Sequence, residues 1–237
     1  MARRLEDRRV LLTGVSRGVG YETARVFLRE GASVVGVSRD GRRLARAAGL
    51  LEPLGDFKPL HEDLNDPAAP RRIAEAVRLR WGALDVLFNN AAILVNRGDP
   101  RTFEDEPPDT LARTLEANVI APHRLVLSLL PLLERGLEPR IVNVGSGAGS
   151  DEGIRLTGIA SYRLSKWTLH GMTILLATHL AGKVAVNAFD PGWVKTDLGG
   201  PNAPGSPVDS AAGALDVVTL PFSTTGKNWK DGRDIPF

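Results

Sequence analysis

The stretch VLLTGVSRGVG, Val10–Gly20, decides the fold. It opens on a short apolar run of β type and breaks at Thr13-Gly14, with further glycines at positions 18 and 20. A helical pattern follows, GYETARVFLREG, with Ala24, Phe27 and Leu28 at helical spacing and Gly31 as its stop. Glycines between a strand and a helix permit a tight turn and a close approach of backbone to a ligand. The helix start then offers unbonded N–H groups and the positive end of its dipole, which suits a pyrophosphate. The spacing is G-x-x-x-G-x-G, and no Gly-Lys-Ser/Thr follows, so the loop is not a P-loop. A plain strand-to-helix turn is the competing reading.

Outward from this unit the same alternation continues. ASVVGVS is a second apolar run, GRRLARAAGLLEPLG a helix, FKPL a short strand, and DPAAPRRIAEAVRLRWG a helix opened by Asp66-Pro67. ALDVLFNN is a strand, PDTLARTLEANVIAPHRLVLSLLPLLERG a long helix with an internal Pro122, and PRIVNVGS a strand. SYRLSKWTLHGMTILLATHLAG is a helix and VAVNAFDPG a strand. Apolar strands without alternation are buried on both faces, which implies a parallel sheet. Repeated βαβ units make it an α/β, Rossmann-type doubly wound sheet with helices on both faces. No internal boundary or repeat divides residues 1–237, so one dinucleotide-binding and catalytic domain is expected. DLGGPNAPGSP, Asp197–Pro207, is rich in Gly and Pro and longer than most connections, the character of a lid over a substrate.

Composition sets limits. The chain has 237 residues, 43% hydrophobic and 24% charged, with a net charge of +2, ordinary for a globular protein. The start, MARRLEDRR, is interrupted by Glu6 and Asp7 and reads as a solvated end; no nucleic-acid-binding motif is present. The absence of cysteine excludes disulfides, thiol catalysis and cysteine-ligated metal, and fits a cytoplasmic protein. VLLTGV is too short for a signal peptide. LVLSLLPLLE falls well short of the roughly 20 residues of a membrane span. The four histidines show no metal-ligand spacing, so no metal site is expected.

The second strand ends VGVSRD. An acid there would hold a ribose 2′-OH, whereas an Arg suits a 2′-phosphate. Here Ser38 stands in the acid's place, Arg39 follows, and Arg17 lies in the glycine loop. Two guanidiniums meeting one phosphate favour NADP(H), because Arg binds phosphate bidentately. Two solvated arginines are the alternative. Downstream, Tyr162 and Lys166 in SYRLSK lie four residues apart on one helix face.

In this order the motifs resemble the short-chain dehydrogenase/reductase family, most closely its carbonyl-reductase-like members, from Val10 to about Pro207. TGVSRGVG resembles the cofactor loop, which implies that Gly14, Ser16, Arg17, Gly18, Val19 and Gly20 contact the cofactor. EDLND supplies Asp63, with Leu64 beside it, for the adenine. NNAA places Asn90 and Ala91 against the cofactor, and PGWVKT brings Pro191, Gly192, Val194 and Thr196 to the nicotinamide. The resemblance implies four catalytic residues: Asn118, Ser146, Tyr162 and Lys166. Tyr162 would be the general acid in reduction and Ser146 would steady the substrate oxygen. Lys166 would hold the ribose, and Asn118 a water behind it. Lys166 and the oxidised nicotinamide are expected to lower the Tyr162 pKa. Ala92 and Gly145 depart from the family's Gly and Ser. The tail GKNWKDGRDIPF is a weaker match to carbonyl reductases.

Ligands in an open parallel sheet bind at the carboxyl ends of the strands. Gly14, Arg39, Asp63, Asn89, Ser146 and Pro191 all follow strand ends and are expected to line one rim, which Tyr162 and Lys166 face from the next helix. A substrate pocket would add Ile93, Leu94, Val95, residues 147–159, Trp193 and residues 197–207. The expected function is NADPH-dependent reduction of a ketone or aldehyde, with a small carbonyl or alcohol as the partner and no nucleic acid or membrane. Two other readings stay open: a non-catalytic dinucleotide-binding sensor, and an NAD-dependent alcohol dehydrogenase working oxidatively. By the resemblance, a homodimer or homotetramer would form through the helices carrying Asn118 and Tyr162.

Overall fold

The computed structural model describes residues 3–95 and 103–237, so Met1 and Ala2 of the expected solvated start lie outside the described residues. The elements run β1 (Arg9–Thr13), α1 (Gly18–Arg29), β2 (Ser33–Ser38), α2 (Gly41–Leu51), β3 (Phe57–His61), α3 (Ala69–Trp81) and β4 (Val86–Asn89). They continue with α4 (Thr110–Leu115), α5 (Ala121–Leu133), β5 (Arg140–Val144), α6 (Ala160–His179), β6 (Ala185–Phe189), α7 (Pro207–Val218), β7 (Asn228–Lys230) and β8 (Arg233–Ile235). All eight strands join one sheet, ordered β3-β2-β1-β4-β5-β6-β7-β8. Every neighbouring pair is parallel except β7 and β8. The chain winds outward from β1 to β3, then returns to lay β4 on the other side of β1. The connections therefore part above β1 and β4, which opens a crevice at their carboxyl ends.

Strand residues alternate between two buried cores, which is why the strands read as continuously apolar. Val10, Leu12, Val86, Phe88 and Val142 face a core shared with Phe27 of α1 and Val217 of α7. Leu11, Leu87 and Ile141 face one shared with Ile73 of α3 and Leu129 of α5. Phe27 and Phe88 meet edge to face at 5.7 Å. Each fully buried side chain of this size contributes about 1.5–3 kcal/mol. At the opposite end of the sheet, Asp85 is buried and accepts hydrogen bonds from Arg9 N, Nε and Nη2 and from Leu137 N. Desolvation works against its charge, yet these donors win and hold the carboxyl below its ordinary range.

Several elements differ from the sequence expectation. The long helix changes winding at Glu116–Ile120, one turn of π-helix that joins α4 to α5 and carries Asn118. Pro122 comes just after this turn, so its missing N–H falls where the winding already departs from the α-helix. Helix α3 begins at Ala69; Asp66 instead caps the preceding turn through Ala68 N. Helix α7 was not foreseen, although Ser206 caps it and Pro207 opens it. Strands β7 and β8 give the tail a place in the sheet. Both edges are blunted: β3 contains Pro59, and β8 has only three residues, two of them charged.

Candidate active site

A cleft of about 890 Å³ lies over the carboxyl ends of the strands. All the residues expected to touch the cofactor line it, from Gly14 to Thr196. The glycines are required by close approach. A Cβ on Gly20 would lie 2.3 Å from the Gly14 carbonyl oxygen, and Gly14 itself has φ +77°. Helix α1 starts with no side-chain cap, so its first N–H groups open on the cleft. The loop is braced from β4: Asn90 Nδ2 donates to Thr13 O at 2.8 Å, and the N–H groups of Asn90 and Ala91 both donate to Thr13 Oγ1 at 3.0 Å. An uncapped helix start behind a tight, braced glycine turn fits a dinucleotide pyrophosphate.

Asn89 does not reach the rim as expected. Adjacent strand residues point to opposite faces, and Asn89 is buried, donating to Asn143 Oδ1 at 2.9 Å; Asn143 in turn donates to Thr173 of α6 at 3.0 Å. This chain of amides sets α6 against the sheet.

At the far end, Ser38 and Arg39 line the cleft together with Arg17, Asp40 and Arg43. Arg17 is held by Asp197 from the 197–207 segment. Arg43 Nη1 reaches the same carboxylate at 3.1 Å. Arg43 was hidden among the many arginines of α2; its position one helical turn after Arg39 was the available signal.

Helix α6 presents Tyr162 and Lys166 to the cleft. Glu106 accepts from Ser161 N and from its hydroxyl, which places a carboxylate at the helix start and fixes the turn containing Tyr162. The Ser146 hydroxyl faces the Tyr162 phenol in the cleft and favours its phenolate. Lys166 Nζ donates to Val144 O at 2.7 Å and stands 5.7 Å from the Tyr162 ring centre. Burial dominates both groups. It pushes the phenol up to about 12, against the pull of Ser146 and with the charge of Asp190. It pulls Lys166 down to about 8, while Asp190 opposes. The expected lowering of the phenol is thus reversed in the chain alone: Lys166 points to a carbonyl, and desolvation disfavours phenolate.

Asn118 does not line the cleft. Its Oδ1 accepts from Ile93 N at 2.8 Å, and its Nδ2 donates to Ile93 O and Ser165 Oγ at 3.0 Å each. The side chain is spent on tying α6 to the segment after β4.

On the substrate side, Ile93, Leu94, Leu156, Ile159 and Trp193 line the cleft and Val95 does not. The 147–159 segment is pinned by Arg163, which donates to Gly153 O and Gly158 O at 2.8 Å each. Gly149 packs so tightly on α6 that a Cβ would lie 2.4 Å from the Lys166 carbonyl carbon. The departure at Gly145 has a cause as well, since a Cβ there would lie 2.3 Å from His170 Nε2. Two charged residues, Asp190 and Lys230, also line this side, and sequence reasoning missed both. Asp190 was concealed within the Pro-Gly motif it precedes; Lys230 lies in a strand too short to detect.

The family described as short chain dehydrogenase matches residues 8–205. The chain is 33% identical over 195 residues to the rhamnolipids biosynthesis 3-oxoacyl-[acyl-carrier-protein] reductase of Pseudomonas aeruginosa, covering 79% of this chain and 73% of that one. It is 29% identical over 265 aligned positions to carbonyl reductase [NADPH] 1 of Sus scrofa, covering 91% and 88%. The NADPH-bound carbonyl reductase from chicken fatty liver superposes with a TM-score of 0.89 at 27% identity, covering 98% of this chain and all of that one.

Proposed function

The chain belongs to the short-chain dehydrogenase family, as a carbonyl-reductase-like member, and from that premise we propose that it reduces a ketone or aldehyde to an alcohol with NADPH. The observation that carries this reading is the meeting of the Tyr162 phenol and the Ser146 hydroxyl in the cleft lined by the glycine loop.

NADPH, when bound, supplies the hydride. Gly14, Gly18 and Gly20 would let the backbone approach its pyrophosphate, while Arg17, Arg39 and Arg43 would hold the 2′-phosphate. Asp63 and Leu64 would hold the adenine, and Pro191, Gly192, Val194 and Thr196 the nicotinamide. Negative charge grows on the substrate oxygen as the carbonyl is reduced. Ser146 donates to that oxygen and Tyr162 gives it a proton. A phenol pushed up to about 12 is fully protonated at neutral pH, which suits an acid. Lys166, beside the phenol on α6, is placed to turn from Val144 O to the ribose hydroxyls and to relay a replacement proton through a water near Asn118.

The apolar mouth formed by Ile93, Leu94, Leu156 and Trp193 suits a hydrophobic carbonyl compound, with residues 197–207 as its lid. Residues 1–237 would work as one dinucleotide-binding and catalytic unit. Leu127 of α5 and Trp167, Ile174 and Leu175 of α6 are exposed, which supports a homodimer or homotetramer built on these helices. None of the helices among the described residues is long and apolar enough to cross a membrane.

The test is turnover of a panel of aldehydes and ketones with NADPH or NADH, followed by absorbance of the reduced nicotinamide. NADPH oxidation dependent on a carbonyl compound is the expected result. Binding of NADPH without turnover of any carbonyl compound would indicate a sensor, and faster alcohol oxidation with NAD would indicate a dehydrogenase.

A further inference from the structure

The proposed mechanism leaves one buried charge without a task. Asp190 follows β6 directly, and only 2% of its side chain is exposed. Its Oδ1 accepts from Gly192 N at 2.8 Å, and its Oδ2 lies 3.4 Å from Lys230 Nζ. The carboxylate borders the cleft: a Cβ on Gly147 would stand 3.4 Å from Oδ2. The titratable and charged groups facing it are Tyr162, Lys166 and His170 from α6 and Lys230 from β7.

A carboxylate so buried is costly unless it is paired, and here Gly192 N–H and Lys230 are its partners. Lys230 keeps 34% of its side chain exposed, so water screens its positive charge, whereas the field of Asp190 spreads through protein. His170 adds no compensating charge, because burial pulls it down to about 4. Lys166 Nζ is held at Val144 O, whose strand partner Phe189 directly precedes Asp190, and the carboxylate reaches Gly147 beside Ser146. From that position a negative charge acts on Tyr162 and Lys166 in the same sense, favouring the proton-bearing form of each.

We propose that Asp190 is a positioning residue for proton transfer: a fixed negative charge that keeps Tyr162 protonated and Lys166 an ammonium, committing the site to donating a proton. Desolvation alone would already oppose phenolate, but it would also strip the proton from Lys166. A neutral lysine could not replenish the phenol. Asp190 resolves this conflict, since an anion stabilises the charged lysine and the neutral phenol together. Its consequence for turnover rests on the carbonyl-reduction reading; its effect on the phenol does not.

The chain contains only two tyrosines, Tyr21 and Tyr162, so Tyr21→Phe leaves one to observe. In that background, protein carrying 13C at tyrosine Cζ is titrated by NMR with and without Asp190→Asn. The phenolate is expected to form about one pH unit lower in the Asp190→Asn protein. The high-pH limb of carbonyl reduction should move down by a similar amount while KM for NADPH stays within about threefold. An unmoved titration in a folded protein overturns the proposal, whatever happens to turnover. Asp190→Ala, which introduces no amide needing partners, repeats the measurement if the Asn variant does not fold. Failure of both to fold overturns the proposal too, because it makes the carboxylate a purely structural group. A shifted phenol in a protein that reduces no carbonyl compound would support the role of Asp190 and refute the function proposed above.

Discussion

Asp197 forms an ion pair with Arg17 across the cleft, joining the 197–207 segment to the glycine loop. Arg43 reaches the same carboxylate. Two of the three arginines proposed for the 2′-phosphate, Arg17 and Arg43, are therefore already engaged by an internal anion, which NADPH would have to displace. All three side chains are about half exposed, so the contest is worth no more than about 1 kcal/mol. Asp197→Asn should tighten NADPH binding by up to about fivefold and leave NADH binding unchanged, as measured by fluorescence titration of the reduced nicotinamide. Equal tightening of both cofactors would mean that the carboxylate does not compete with the 2′-phosphate.

The arginine cluster also predicts cofactor choice. Charge-assisted hydrogen bonds contribute about 1.5–3 kcal/mol each when well made, and exposure to solvent reduces this. NADPH should be preferred by roughly 10²-fold in kcat/KM. Ser38→Asp combined with Arg39→Gln should shift the preference toward NADH, because a carboxylate at the end of β2 accepts from the 2′-OH and repels a phosphate. The wild-type preference should shrink as salt is raised. Wild-type enzyme that uses both cofactors equally would assign these arginines to the solvated surface.

Tyr162→Phe removes the proposed acid and keeps the ring. Turnover is expected to fall by at least about 10²-fold, with the NADPH dissociation constant within about twofold of wild type. Stopped-flow and binding measurements separate the two effects. Near-normal turnover would mean that another group delivers the proton.

His170 is buried, and burial pulls its pKa down to about 4 from an ordinary value near 6.5. The folded protein holds it neutral, while the unfolded chain takes up its proton first as pH falls. Its contribution to stability is full above about pH 6.5 and is lost progressively toward pH 4. Between about pH 6.5 and pH 5, before most carboxylates titrate, this residue should account for about 2 kcal/mol of lost stability. Urea unfolding at the two pH values should show that loss in wild type and not in His170→Gln. An equal loss in both proteins would place the acid sensitivity elsewhere.

The alternation of strands and helices was legible because β1, β2, β4, β5 and β6 are buried on both faces and so carry unbroken apolar runs. Helix α7 was overlooked because its Ala-rich face has weak contrast and it follows a Gly/Pro segment, although the cap at Ser206 and Pro207 marked its start. Strands β7 and β8, at three residues each, are too short for any period to show. Within the cleft, the glycine loop and the Tyr162–Lys166 pair were legible because both depend on local spacing. Asn89 was misplaced by one position of strand alternation, and the bonds of the Asn118 side chain to Ile93 and Ser165 could not be read from its place in the helix. Glu106, Asp190 and Lys230 came from remote segments, and only the tertiary fold brings such residues to α6.

The blunted borders of the sheet govern how copies of this chain can meet. On one side Pro59 deprives an incoming strand of a donor in the middle of β3. On the other, β8 runs against its neighbours and offers Arg233 and Asp234 over a length too short to template a partner. Ribbon-to-ribbon growth is thus closed in both directions. Any self-association would fall to side-chain surfaces on the helices, leaving every ladder of the sheet intact.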